Sequence, residues 1–194
     1  MEKVSYALGL SLGSNLLGSG VKALDYAQLA KGIKDVMEQS KPDMGFEEAQ
    51  AVISEFFEKL QEEMSAKGQS EGKAFLAENA KRSEVVTLPS GLQYEIITAG
   101  TGATPQASDS VKVHYHGTTI DGNVFDSSVS RGEPATFGVT QVISGWVEAL
   151  QLMPVGSKWK LFIPSELAYG AQGAGQAIAP HASLIFEVEL LNIV

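Results

Sequence analysis

Cysteine is absent from the 194 residues. Disulfide frameworks, thiolate metal sites and cysteine nucleophiles are excluded together. No apolar run approaches the ~18–20 residues that span a bilayer. Basic residues are few, 14 Lys and Arg against 23 Asp and Glu for a net charge of −9. No face is visibly basic, which disfavours a binder that tracks nucleic-acid phosphates. The opening Met1-Glu2-Lys3-Val4-Ser5-Tyr6 lacks the basic region, apolar run and small-residue cleavage site of a secretory leader. The expectation is a cytoplasmic chain, or a periplasmic one had a leader been removed. Apolar residues are plentiful: at 44% they are enough for a real core and argue against wholesale disorder.

Proline is scarce in one half only. Before Pro89 there is one proline, Pro42, with 10 basic and 14 acidic residues. From Pro89 onward come six prolines, twelve of the twenty glycines, both tryptophans, and 4 basic against 9 acidic residues. Turn formers crowd the second half and helix-compatible sequence fills the first. The expected division is 1–82 and 83–194.

The first half reads as three helices. One covers about Val4 to Leu17, with Leu8, Leu12 and Leu16 at i, i+4 spacing. A second begins at Asp25, a suitable N-cap, and sets Leu29, Ile33, Val36 and Met37 on one stripe. A third starts near Phe46 and carries Ala49, Val52, Ile53, Phe56, Phe57, Leu60 and Met64. Its continuation through Gly68 and Gly72 to Ala80 is open at this point, because each glycine costs roughly 1 kcal/mol against alanine. Unbroken, ~35 residues would measure on the order of 50 Å. The two leading helices are too short to bury their leucines alone, so a second copy of the chain is the expected partner. Folding back on the second half is the other possibility.

In the second half, Gly91–Ile97, Val111–His116, Lys158–Ile163 and Ala182–Leu190 alternate like strands, with Val111, Val113 and Tyr115 on one face. Asp121-Gly122 signals a turn, and Gly145–Leu152 fits one short helix. The fold class expected is α+β, a curved antiparallel sheet over that helix.

The usual chemistry is missing. There is no Gly-x-Ser-x-Gly elbow, and Gly170-Ala171-Gln172-Gly173-Ala174-Gly175 has neither dinucleotide-loop order nor a following Lys-Ser/Thr. His114 and His116 share a strand face without an evident third ligand. His181, after Pro180, is expected to bond locally in a turn. Asp126 with Arg131 five residues on reads as a surface pair worth little. What remains is a store of aromatics near turns: Tyr115, Phe125, Phe137, Trp146, Tyr169 and Phe186, with Val142 and Ile143. They fit either a core or an apolar ligand cavity.

The order of motifs goes further. Val111-Lys112-Val113-His114-Tyr115-His116-Gly117, Asp121-Gly122, Val124-Phe125-Asp126-Ser127-Ser128, Val142-Ile143-Ser144-Gly145-Trp146, Met153-Pro154-Val155-Gly156, Ala168-Tyr169-Gly170 and Leu184-Ile185-Phe186-Glu187-Val188-Glu189-Leu190 together resemble the FKBP-type peptidyl-prolyl cis-trans isomerases over residues 90–194. Tyr6-Ala7-Leu8-Gly9 and Phe75-Leu76-Ala77-Glu78-Asn79-Ala80 resemble the dimerising segment of bacterial FKBPs of the macrophage-infectivity-potentiator and FklB kind.

The resemblance implies an all-α dimerisation domain with a long connecting helix, then an FKBP-like sheet around one helix, in a V-shaped homodimer. It implies Trp146 as pocket floor, Tyr115, Phe125, Phe137, Val142, Ile143 and Phe186 as walls, Tyr169 offering its hydroxyl to a substrate carbonyl, Asp126 at the rim, and Ile178 on a flap over the mouth. Catalysis would rest on Asp126, Tyr169, Phe125 and Trp146. The implied partners are proline-containing unfolded or partly folded chains and macrolides such as tacrolimus or rapamycin, with no cofactor, no nucleic acid and no membrane. Two departures stand out. Ala135 replaces a frequent aromatic, implying a thinner wall, and the flap from Gly170 to Pro180 has small Ala174 and Ala177. A non-catalytic module for proline segments and a helical scaffold stay open as alternatives.

Overall fold

Asp25 caps the second helix as its residue type predicts, its carboxylate accepting from the N–H of Ala27 at 2.9 Å and of Gln28 at 3.1 Å. The computed structural model describes all residues, Met1–Val194. Three helices lead: α1 Glu2–Gly18, α2 Tyr26–Met37 and α3 Phe46–Asn79. The last runs unbroken for 34 residues through both glycines. The chain divides into two compact units, Met1–Glu63 and Met64–Val194, and the division falls inside α3. In the first unit neither α1 nor α2 buries a single residue.

The second unit is α+β, as expected. Its strands are β1 Val85–Thr87, β2 Gln93–Thr98, β3 Ser110–Thr119, β4 Val124–Ser127, β5 Ala135–Gly138, β6 Lys158–Ile163 and β7 Leu184–Ile193. Its short helices are α4 Ser128–Arg131 and α5 Ser144–Leu150. The sheet is antiparallel in the order β1-β2-β6-β7-β3-β4, with β5 also paired to β3. Period-2 alternation sets its inner face: Val111, Val113 and Tyr115 on β3, Trp159, Leu161 and Ile163 on β6, and Leu184, Phe186, Val188 and Leu190 on β7 are buried together with Trp146, Ala149 and Leu150 of α5. The short strands β1, β4 and β5 go beyond what the sequence pattern predicts. Three or four residues are too few for alternation to register, and they owe their extended form to longer neighbours.

Candidate functional site

The site grows from the central strand and the short helix. Register places Tyr115 opposite Val188, and Gly117 opposite both Phe186 of β7 and Asp126 of β4. A Cβ on Gly117 would come within 2.7 Å of the Phe186 ring and 2.8 Å of the Phe125 ring. Only glycine lets those two aromatics close over the strand, 5.4 Å apart and edge-on. Trp146 sits in the first turn of α5, its backbone N–H donating to the Ile143 carbonyl at 2.9 Å. Its indole is buried, and three rings stand nearly perpendicular to it: Tyr115 at 5.4 Å, Phe137 at 5.9 Å and Phe186 at 5.3 Å between centroids. Edge-to-face packing of this kind adds ~0.5–1.5 kcal/mol per pair beyond area burial.

These rings line an open-mouthed cavity of about 470 Å³, bordered by Tyr115, Phe125, Asp126, Phe137, Gln141, Val142, Ile143, Trp146, Tyr169 and Phe186. It falls in the size class of small-ligand sites. Tyr169 is the open side of the ring cluster, 40% exposed.

The polar rim is a closed network. The Tyr115 hydroxyl donates to Asp126 Oδ2 at 2.5 Å, Arg131 donates to the other carboxylate oxygen, and Arg131 Nη2 donates to the Tyr115 oxygen at 2.8 Å. The guanidinium also lies 5.6 Å above the Tyr115 ring. Partial burial works against the Asp126 charge, but the Tyr115 and Arg131 hydrogen bonds, the Arg131 charge and the Ser127 N–H outweigh it and hold the carboxyl below its ordinary value. Burial, then the neighbouring carboxylate, pushes the Tyr115 phenol up, with Arg131 opposing. Bonding to Asp126, then to Tyr115, raises the Arg131 guanidinium further. The pair read from sequence as an incidental surface contact is a three-residue rim.

Nine of the ten implied site residues thus converge on one cavity. Ile178 does not line it: the side chain is buried in the core, and its backbone is tied to Ala174 by two hydrogen bonds of 2.8 and 3.1 Å. Ala135 supplies no ring to the cavity, in keeping with the thinner wall expected there. Ala135 packs on the core while Phe137, two residues on along the same face of β5, brings an aromatic to the cavity. Gln141 lines the cavity and was missed. Its position just before Val142-Ile143 is the available signal, and its polarity hid it among apolar neighbours. The strand histidines each meet a serine, His114 Nδ1 with Ser128 Oγ at 3.1 Å and His116 Nδ1 with Ser127 Oγ at 2.9 Å. No three His, Asp or Glu side chains converge as a metal site. His181 departs from the expected local bond: its Nδ1 is buried without a partner.

A sheet wrapped on one helix, with a tryptophan-floored aromatic cavity and a Tyr-Asp-Arg rim, defines a class. A family model described as FKBP-type peptidyl-prolyl cis-trans isomerase matches residues 102–191, and one described as the domain amino terminal to FKBP-type peptidyl-prolyl isomerase matches residues 1–96. The chain belongs to the FKBP-type peptidyl-prolyl cis-trans isomerases. Its relatives include the FKBP-type 22 kDa peptidyl-prolyl cis-trans isomerase of Escherichia coli strain K12, 48% identical over 98% of this chain and 94% of that one. The outer membrane protein MIP of Legionella longbeachae is 45% identical over 99% of this chain and 85% of its own length. The crystal structure of FkpA from Escherichia coli matches with a TM-score of 0.72 at 38% identity, covering 98% of this chain and 95% of that one. These names do not favour the non-catalytic alternatives. Nor do they support the cytoplasmic expectation, since one relative is named for the outer membrane. No helix of this chain is long and apolar enough to cross a membrane.

Proposed function

We propose that the cavity takes up the prolyl ring of an X-Pro segment in unfolded or partly folded polypeptides and lowers the barrier to rotation about its amide. The buried Trp146 floor with its three perpendicular rings carries this reading. The amide barrier of ~18–20 kcal/mol comes from C–N resonance, and uncatalysed exchange takes tens of seconds or more. Twisting removes that resonance and much of the amide dipole. Water favours the polar planar form, whereas an apolar enclosure favours the twisted one. The enzyme then binds the transition state more tightly than the ground state, with the buried Trp146 floor and its flanking rings as the geometric basis for desolvation. No bond is broken, so the rotation calls for no nucleophile and no cofactor.

Tyr115, Phe125, Phe137, Val142, Ile143 and Phe186 form the walls, and Tyr169 offers its hydroxyl to a substrate carbonyl. Asp126, held by two donors, shapes the field at the rim and moves no proton. Ile178 backs the flap from within the core. The same cavity suits macrolides such as tacrolimus and rapamycin. The division into working parts is 1–82 for association and 83–194 for isomerisation.

The leading helices support a homodimer. Between Glu2 and Gly18 the only charges are Glu2 and Lys3, while Val4, Tyr6, Leu8, Leu10, Leu12 and Leu17 are exposed on more than one face. A helix with apolar residues exposed on several faces needs a partner surface, and a second copy is the partner that would cover it. Paired subunits would raise the effective concentration of cavities along one unfolded chain and give chaperone-like retention. Work outside the cytoplasm is the location favoured by the outer-membrane name of one relative. A protease-coupled tetrapeptide assay with and without rapamycin tests the activity. Acceleration abolished by the macrolide supports the reading, and binding without acceleration overturns it.

A further inference from the structure

Two glycines in the middle of a helix need a reason, and the second unit supplies one. A Cβ on Gly72 would lie 2.5 Å from Ser183 Oγ, and one on Gly68 would meet the Pro180 carbonyl oxygen, with the His181 carbonyl carbon at 3.2 Å. Gly68 is pressed against the backbone of Pro180 and His181, and Gly72 against the Ser183 hydroxyl, closer than a Cβ allows unless the neighbour shifts. The end of α3 is pinned as well. Buried Asn79 donates to Gln93 Oε1 at 2.8 Å, and Gln93 Nε2 donates to the Leu76 carbonyl at 2.9 Å. The Phe75 ring packs 6.0 Å from that of Phe162.

The segment under α3 is constrained. His181 has φ 56°, a left-handed conformation uncommon for a residue with a side chain. Its ring Nδ1 is buried without a partner. Such features persist only where the surroundings over-determine them. The surroundings here are α3 on one side and the flap on the other, since the His181 N–H donates to the Gly170 carbonyl at 2.8 Å. Gly170 directly follows Tyr169, which lines the cavity.

We infer that Gly68 and Gly72 of α3 are positioning residues for the isomerase: their bare backbone seats Pro180, His181 and Ser183, and through Gly170 this sets the place of Tyr169. The inference rests on Tyr169 meeting substrate. It extends the working part of the enzyme back into the long helix.

The test uses the full chain and the tetrapeptide assay, with Gly68→Ala, Gly72→Ala, Ser183→Ala and Gly72→Ala/Ser183→Ala. The two single glycine variants are also made in a Tyr169→Ala background. Each glycine variant is expected to lose roughly tenfold in kcat/KM, the scale of a small misplacement at a reacting group. The loss should shrink to under about twofold where Tyr169 is already gone, as coupled sites are non-additive. Removing the Ser183 hydroxyl leaves Cβ 3.4 Å from the new methyl, so Ser183→Ala should rescue Gly72→Ala. Wild-type activity in the glycine variants, equal losses in both backgrounds, or no rescue each overturn the inference. If Gly68→Ala fails to fold, the Gly72 and Ser183 set decides alone. An inactive wild type, or a Tyr169→Ala variant as active as wild type, removes the assignment beneath the inference and is distinguishable from all of these.

Discussion

Tyr115 and Asp126 share a hydrogen bond of 2.5 Å across two paired strands, and Arg131 closes the triangle on both. The signs of the shifts set a pH window. The carboxyl is held below its ordinary value, so it is charged above the unfolded value of ~3.9. Its contribution to stability is present there and is lost as pH falls through the lower folded value. The phenol is pushed up, so its contribution is whole below the unfolded value of ~10 and fades as pH rises through the folded value. Turnover of a peptide without titratable groups is therefore expected to stay flat from about pH 5 to 9. A steep limb inside that range would assign a proton-transfer role to the rim.

Asp126→Ala removes the acceptor for two donors but leaves the apolar floor. The expected outcome is partial activity, with kcat/KM lowered by about tenfold and not abolished, well short of the ~10²–10⁴ lost with a general acid or base. Steady-state kinetics on one tetrapeptide checks it, and complete loss in a folded variant would contradict it.

Gly117→Ala forces a methyl to within 2.8 Å of both the Phe186 and Phe125 rings. Overpacking of this kind costs about 1–3 kcal/mol, and here it also disturbs two cavity walls. Thermal unfolding should show the loss together with a raised KM. A raised KM at unchanged stability would mean that the rings yield freely.

Ile178 is buried and lines no part of the cavity. Ile178→Ala should cost about 2–5 kcal/mol while changing KM less than Phe125→Ala does. The reverse order, found by denaturant titration and kinetics on the same preparations, would return Ile178 to the cavity wall.

Leu8→Asp with Leu12→Asp places two charges on an exposed apolar helix. Sedimentation should shift from dimer to monomer, with tetrapeptide turnover unchanged and acceleration of protein refolding reduced. A monomeric wild type would contradict the partner assigned to α1.

The sequence made the central strand, the short helix and nearly the whole cavity legible, each for a definable reason. Val111, Val113 and Tyr115 alternate over a long enough run to name their face, and the capping carboxylate of Asp25 announces α2. Order and spacing of motifs then turned scattered aromatics into one cavity. What stayed hidden depends on contacts distant in sequence. Gly68 and Gly72 look like weak points of a helix until the Pro180–His181 backbone and the Ser183 hydroxyl are seen against them. Gln141 is polar and carries no periodic signal. The Asp126–Arg131 spacing resembles many idle surface pairs, and only the Tyr115 hydroxyl between them makes a rim.

The central claim is that rotation takes place over the Trp146 indole, and nuclear magnetic resonance of a Leu-Pro peptide with substoichiometric protein tests it most directly. The account predicts faster cis–trans exchange together with upfield displacement of the proline ring protons, as expected for a ring lying on an indole face, and both effects should vanish with saturating rapamycin. Faster exchange with undisplaced proline signals, or exchange that survives the macrolide, would place the chemistry somewhere other than this cavity.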